Sequence, residues 1–376
     1  RKDNKHNKQR ISKRQISRQR KYNNKRTPSS STSRPYSDLT TDELKQLTEY
    51  HLSQNIQPDG VISIGTMSSG QMHEFARLLS SWSKLSYTTD GRPLSRQNKI
   101  LAAEMAEQCL RELIEEKGAG NVHADKVITP DVYYAVIKAW LKVGGYKDLV
   151  HATSLLDLME RVHEKKKDDD GLQFTSSSIK CYALVLDGWC KSKSMGAEMK
   201  AEEILNRMCN IGKDSAGGTG GADVRHCNNV MNRIATSGKS NAGREAERLL
   251  GEMIASYNGT SPIAPNRNSF NTVIKAYANA GGRNATQNAK RILAMMENPA
   301  SIGLQDISKQ IMPDKISYTS ILMTWGNDIS GRSRGGECNI DDEGEDAEGM
   351  LQRMIEMYES GRNRSVRPDT VSGSYQ

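Results

Sequence analysis

The chain has 376 residues and a net charge of +8, with 36% hydrophobic residues, 31 Gly and only 3 Phe. No run of eighteen apolar residues occurs, which excludes a membrane-spanning helix, and the apolar content is low for one large core. The charge is split: residues 1–34 hold thirteen Lys/Arg against Asp3 alone, giving +12, and the remainder is −4. The basic balance therefore belongs to one end of the chain, and any nucleic-acid reading of the rest must stand on where its charges sit.

Residues 1–37 read as a disordered basic arm, rich in Arg, Lys, Asn, Gln and Ser with almost no apolar content. This composition fits an organellar transit region and equally a solvated tail that holds RNA non-specifically. The first residue is Arg1, not Met, from which a missing upstream segment is expected. Residues 38–70 read as a capping helix and a loop, with Thr41-Asp42-Glu43 opening the helix ahead of Leu44 and Leu47.

From residue 71 one pattern recurs. Phe75, Leu78, Leu79 and Trp82 fall at offsets 0, 3, 4 and 7, the spacing of one helical face. The same stripe returns as Tyr133/Val136/Ile137/Trp140, Tyr182/Val185/Leu186/Trp189, Cys227/Val230/Met231/Ile234, Phe270/Val273/Ile274/Tyr277 and Tyr318/Ile321/Leu322/Trp325. Between these lie second stripes, each opened by Ala: Ala106/Cys109/Leu110/Leu113, Ala152/Leu155/Leu156/Met159, Ala201/Ile204/Leu205/Met208, Ala246/Leu249/Leu250/Met253, Ala289/Ile292/Leu293/Met296 and Ala347/Met350/Leu351/Met354. First and second helices alternate without exception, and Gly281-Gly282 is a natural stop between one such pair. Neither helix of a pair buries its stripe alone, so stacking of copies is required.

The expected fold is all-α: a right-handed superhelical solenoid of helix-turn-helix repeats. Six units are expected at about 71–131, 132–178, 179–223, 224–266, 267–314 and 315–369, with 370–376 opening a truncated further repeat. The opening alanines of successive second helices lie 46, 49, 45, 43 and 58 residues apart. The surplus length falls in polar stretches, Lys165–Gly171, Lys213–Gly221, Ser256–Pro265, Pro299–Met312 and Gly331–Asp346, read as edge loops.

No stretch carries recognisable catalytic or cofactor chemistry. Cys109, Cys181, Cys190, Cys209, Cys227 and Cys338 form no CxxC pair and read as reduced thiols, mostly buried, which points to an intracellular compartment. Gly238-Lys239-Ser240 lacks the earlier glycine of a phosphate loop, since Arg233 stands there. His226 beside Cys227 reads as a helix residue next to a core thiol. No metal, no cofactor and no small-molecule substrate is implied, and the chain is not read as an enzyme.

Two segments carry a family resemblance. Pro265-Asn266-x-x-Ser269-Phe270-Asn271-Thr272-Val273-Ile274 and Pro313-Asp314-x-x-Ser317-Tyr318-Thr319-Ser320-Ile321-Leu322 resemble the pentatricopeptide repeat consensus Pro-Asp-x-x-Thr-Tyr-Asn-Thr-Leu-Ile. The second helices resemble its Ala-x-x-x-Leu-x-x-Met half, and Tyr182–Lys191, YALVLDGWCK, resembles its YNTLIDGLCK. The units here are longer than the family's repeat of about 35 residues. Tetratricopeptide repeats, which bind peptides, lack the Pro-Asp/Asn signature.

The resemblance implies single-stranded RNA as partner, one base per repeat, in organellar RNA metabolism within a mitochondrion or plastid, with chemistry supplied by recruited protein factors. It implies that the residue after the first-helix aromatic and the Asp or Asn after the next loop proline read one base together. Asn228 with Asn266 then implies C, Asn271 with Asp314 implies U, and Thr319 with Asp369 implies G, a 5′-CUG-3′ core. Ala76, Tyr134 and Ala183 leave the earlier units without a readable pair. Lys84, Lys142 and Lys191 stand at a position the family uses for phosphate, and Ile316 at its stacking wedge, whereas Lys180, Arg225 and Asn268 do not fit that wedge. The alternative is a helical-repeat scaffold that binds proteins, favoured by the unreadable early units and the net acidic body.

Overall fold

The structure is a computed structural model that describes residues 39–54, 67–85, 93–164, 176–214, 221–282, 284–332, 347–361 and 363–367. The regular elements among them are helical: α1 (Thr41–Gln54), α2 (Ser69–Lys84), α3 (Arg96–Gly118), α4 (Pro130–Val143), α5 (Tyr146–Glu164), α6 (Ser176–Lys191), α7 (Ala197–Asp214), α8 (Val224–Ala235), α9 (Ala242–Ala255), α10 (Arg267–Ala280), α11 (Ala285–Glu297), α12 (Lys315–Arg332) and α13 (Ala347–Glu359), with short single turns between them. From α2 onward the even-numbered helices are the first helices of the sequence pattern, and the odd-numbered ones from α3 are the second helices.

Local chemistry sets the boundaries. Ser68, Asp223 and Asn266 each cap a first helix through a reciprocal capping box, leaving fewer orphan N–H groups in the opening turn. Asp314 does the same for α12, its Oδ1 accepting the Ser317 N–H at 3.0 Å while Ser317 Oγ accepts the Asp314 N–H at 3.0 Å. Pro130 opens α4, where its missing N–H costs nothing. Gly144 closes α4 at φ 86°, a conformation that favours glycine. The cap of α1 lies one residue before Thr41: Thr40 Oγ1 accepts the Glu43 N–H at 3.2 Å, and the Glu43 carboxylate accepts the Thr40 N–H at 2.9 Å.

Each first helix packs on its own second helix and on the first helix of the next unit, and each second helix packs on the first helix that follows it. The stripes predicted from the sequence are the core: all four residues of the first five first-helix stripes and of the first five second-helix stripes are buried. In the sixth unit Tyr318, Ile321, Leu322, Met350 and Met354 are buried and Leu351 is half-buried.

Polar pins recur at equivalent places. The indole N–H of Trp82 donates to Thr48 Oγ1 at 2.9 Å, that of Trp140 to Glu107 Oε2 at 2.9 Å, and that of Trp189 to Thr153 Oγ1 at 3.0 Å. Each joins a first helix to the helix packed before it, and each gives a buried indole its acceptor. By this pairing α1 stands to α2 as a second helix stands to the next first helix. The Tyr182 hydroxyl donates to Glu160, which also accepts Arg207 Nε at 3.1 Å, so α5, α6 and α7 meet at one carboxylate. The Tyr318 hydroxyl donates to Glu297 at 2.6 Å, and Glu297 pairs with Arg353, repeating the arrangement across α11, α12 and α13.

One expectation is corrected. Pro299–Met312 reads in sequence as a polar edge loop, but it folds into three short turns and buries Leu304, Ile307 and Ile311. Three apolar residues spaced 3 and 4 apart supply a face that a flexible loop would leave in water.

Cys109, Cys181, Cys190, Cys209 and Cys227 form no disulfide, and Cys338 lies outside the described residues. Burial pushes the Cys109, Cys181 and Cys227 thiols up to about 12, which suppresses the reactive thiolate. These three are expected to react with Ellman's reagent at least about a hundredfold more slowly in the folded chain than after denaturation. Stopped-flow absorbance with site-by-site Cys→Ser variants checks this.

Candidate nucleic-acid interface

Four of the residues expected to read bases meet in two pairs. Asn228, on α8, donates from Nδ2 to Asn266 Oδ1 at 3.2 Å. Asn271, on α10, donates from Nδ2 to Asp314 Oδ1 at 3.2 Å. In each pair the first partner lies one residue beyond the aromatic position of a first helix, and the second caps the next first helix. Residues 38 and 43 apart in sequence are thereby brought to hydrogen-bonding distance by the packing of successive first helices.

A third residue completes each pair. Ser269 Oγ donates to Asn228 Oδ1 at 2.8 Å, and Ser317 Oγ donates to Asn271 Oδ1 at 2.6 Å. Both serines are fully buried, Asn271 is 9% exposed, and Asn228, Asn266 and Asp314 are half-buried. The two trios are therefore recessed polar floors rather than protruding hooks. The second Asp314 oxygen faces Arg267 Nη1 at 3.8 Å, and Arg267 Nε donates to the Met312 carbonyl at 2.6 Å. The serines were not singled out in sequence, although the Pro-Asn/Asp-x-x-Ser spacing displayed them. Their hydroxyls meet the preceding unit only after the units stack.

The remaining expected residues are placed differently. Thr319 Oγ1 donates to the Lys315 carbonyl of its own helix at 2.9 Å, and its expected partner Asp369 lies outside the described residues. Ile316 is 58% exposed, a large aliphatic side chain held in water beside the Asp314 cap. Lys180, Arg225 and Asn268 occupy the equivalent positions of earlier units and are also exposed.

The lysine column is heterogeneous. Lys142 Nζ donates to the Ser83 carbonyl at 2.7 Å and the Leu85 carbonyl at 3.3 Å, closing the carboxyl end of α2 from the neighbouring unit. Burial, with Lys138 and Lys99 nearby, holds its ammonium below the usual lysine range. Asn279 occupies the equivalent position and donates to the Ala235 carbonyl at 2.8 Å, the same clamp on the end of α8. Lys191 pairs with Asp187 at 2.6 Å on its own helix, and Lys84 is exposed.

Other sequence features take structural roles. Lys239, from the Gly-Lys-Ser triplet, pairs with the buried Glu198 at 3.0 Å, and Arg233 faces the same carboxylate at 3.5 Å. His226 is buried in the Asp223 capping box, and burial holds its imidazole below the ordinary histidine value. Among the described residues no group of three His, Cys, Asp or Glu is arranged to hold a metal, and no helix is long and apolar enough to cross a membrane. No family model, curated protein or solved structure matches the chain.

Proposed function

We propose that the chain is a pentatricopeptide-type solenoid that binds single-stranded RNA in organellar RNA metabolism, stabilising or processing a transcript or assisting its splicing or translation. The observation that carries the reading is the repetition of one polar trio in consecutive units: Asn228–Asn266–Ser269 and Asn271–Asp314–Ser317 share their partners and their geometry. Burying matched amides is costly unless each is satisfied, and packing alone would be met by apolar residues. Under this reading each pair contacts one base, C then U, and Ile316 stacks against the strand. Arg225, three residues before Asn228 and 3.7 Å from Asp223, and Arg267, next to Asn266, bring positive charge suited to phosphates. The chain holds RNA single-stranded and excludes nucleases or competing structure, while recruited proteins supply chemistry.

Fluorescence anisotropy of the full chain against short RNAs with and without CUG, at two salt concentrations, tests the reading. Salt-dependent binding with a preference for CUG is expected, and Asn271→Ala is expected to weaken binding to CUG RNA about tenfold. Equal affinity for every sequence would remove the base-reading role.

A second reading is favoured by a different surface. Tyr146 and Val150 on α5, Met195 just before α7 and Met199 in its first turn are 50%, 43%, 95% and 66% exposed. Exposed methionines and an aromatic suit a protein-binding surface. If RNA binding lacks base preference, the protein-scaffold role takes its place.

A further inference from the structure

We infer that Ser269 and Ser317 are positioning residues that set which way the Asn228 and Asn271 amides face, and so what each offers to a base; this rests on the RNA-binding reading above. A serine hydroxyl has a single proton. In Ser317 it reaches Asn271 Oδ1 at 2.6 Å and Asp314 Oδ1 at 3.1 Å, and the shorter contact is to the amide. Ser269 repeats the preference, 2.8 Å to Asn228 Oδ1 against 3.3 Å to Asn266 Oδ1. The backbone N–H of the cap residue fills the hydroxyl's acceptor side, at 3.1 Å for Asn266 and 3.0 Å for Asp314. The hydroxyl is thus oriented from behind and aimed at the amide oxygen in front.

Each asparagine is then held at both ends. Its oxygen accepts from serine and one Nδ2 hydrogen goes to the cap residue, which leaves the second Nδ2 hydrogen and the second lone pair of Oδ1. The amide thus keeps one donor and one acceptor toward a ligand, and the serine fixes which side of the site each of them occupies. Without the hydroxyl, the amide oxygen loses a buried partner and the orientation loses one of its two supports.

The chain itself separates this role from helix capping. Asp223 and His226 build the same capping box with no hydroxyl at the serine position, so capping does not require serine. The residue that the serine would meet in the preceding unit is there Ala183, which has nothing to orient. Cys181 and Val132 take the serine position opposite Tyr134 and Ala76. The buried hydroxyl accompanies asparagine in both described cases and is missing where the partner is Ala or Tyr.

The test measures base preference in the full chain, using RNAs that vary either the C or the U of CUG, read by fluorescence anisotropy. Ser317→Ala is expected to reduce the preference for U about fivefold while leaving the preference for C intact. Ser269→Ala is expected to do the reverse, and Ser317→Thr, which keeps the hydroxyl, to retain discrimination. A loss of stability alone lowers both preferences together or neither, so the reciprocal pattern is specific. Unchanged preferences in both alanine variants, or a parallel fall in both, overturn the inference. An unmodified chain with no base preference overturns the RNA reading and the inference with it, a result separable from the others because it precedes any substitution. Thermal melts of each variant identify any that fails to fold, and the other serine then carries the test.

Discussion

Trp189→Ala is expected to lower the unfolding free energy by about 3–5 kcal/mol, the range for truncating a fully buried large aromatic. Trp189 has no exposed surface, its indole N–H is bound to Thr153 at 3.0 Å, and the Tyr146 ring meets it edge-on at a centroid distance of 5.7 Å. Removing it leaves a cavity between α5 and α6 and takes one donor from Thr153, whose hydroxyl still donates to the Leu149 carbonyl at 2.9 Å. The packing around it is tight, since a Cβ placed on Gly188 would lie 2.8 Å from both Leu141 and Leu149. Chemical denaturation followed by helical circular dichroism gives the loss directly. Thr153→Val separates the two contributions: it keeps the volume, strands the indole N–H, and is expected to cost about 1–3 kcal/mol. A loss below about 1 kcal/mol for Trp189→Ala would mean that this unit contributes little to the cooperative fold.

The second large effect is expected at Glu107. Its side chain is buried on α3, where the carboxylate accepts the Trp140 indole at 2.9 Å and Arg111 Nε at 3.0 Å and pairs with His151. The Trp140 and His151 rings lie against each other with centroids 4.2 Å apart and planes tilted by 47°. Burial alone would push the carboxyl up. The hydrogen bonds and charges of His151 and Arg111 together outweigh it and hold the group below the ordinary value of 4.5. The sign follows from that depression: folding favours the charged form, so the contribution is complete above pH 4.5 and is lost as pH falls through the folded-state value. Glu107→Leu is expected to cost about 1–3 kcal/mol at neutral pH, because it strands the buried Trp140 indole N–H, whereas Arg111 and His151 are exposed enough to turn to water. It should also flatten the decline of stability below pH 4.5 relative to the unmodified chain. Denaturation curves collected from pH 3 to 7 on both proteins check the two statements together, and an equal acid response in both would assign the decline to other carboxylates.

How the chain reads in sequence depends on the kind of interaction. Apolar burial is a property of spacing along one helix, so the stripes from Phe75–Trp82 to Phe270–Tyr277 could be placed in the core without knowing any neighbour. Capping is equally local, and Asn266 and Asp314 announce themselves three residues before a serine. Contacts between units are different. Lys142 resembles a free phosphate ligand in sequence, yet it closes the end of α2 because that helix stops beside it. Pro299–Met312 looks polar by composition, and only the surface it meets makes burial of Ile307 and Ile311 favourable.

By itself, then, the sequence determined the helices, their alternation and the faces they bury, since these follow from periodicity within short windows. It also determined which side chains were candidates for a polar site. The repeat resemblance paired Asn228 with Asn266 and Asn271 with Asp314, but tertiary structure alone decided that Ser269 and Ser317 join them and that each trio is hydrogen-bonded, because partners from 38 to 46 residues apart are joined only when one unit docks on the next. Hydrogen bonds demand atomic registration across that docking surface, and no pattern within a single helix carries it.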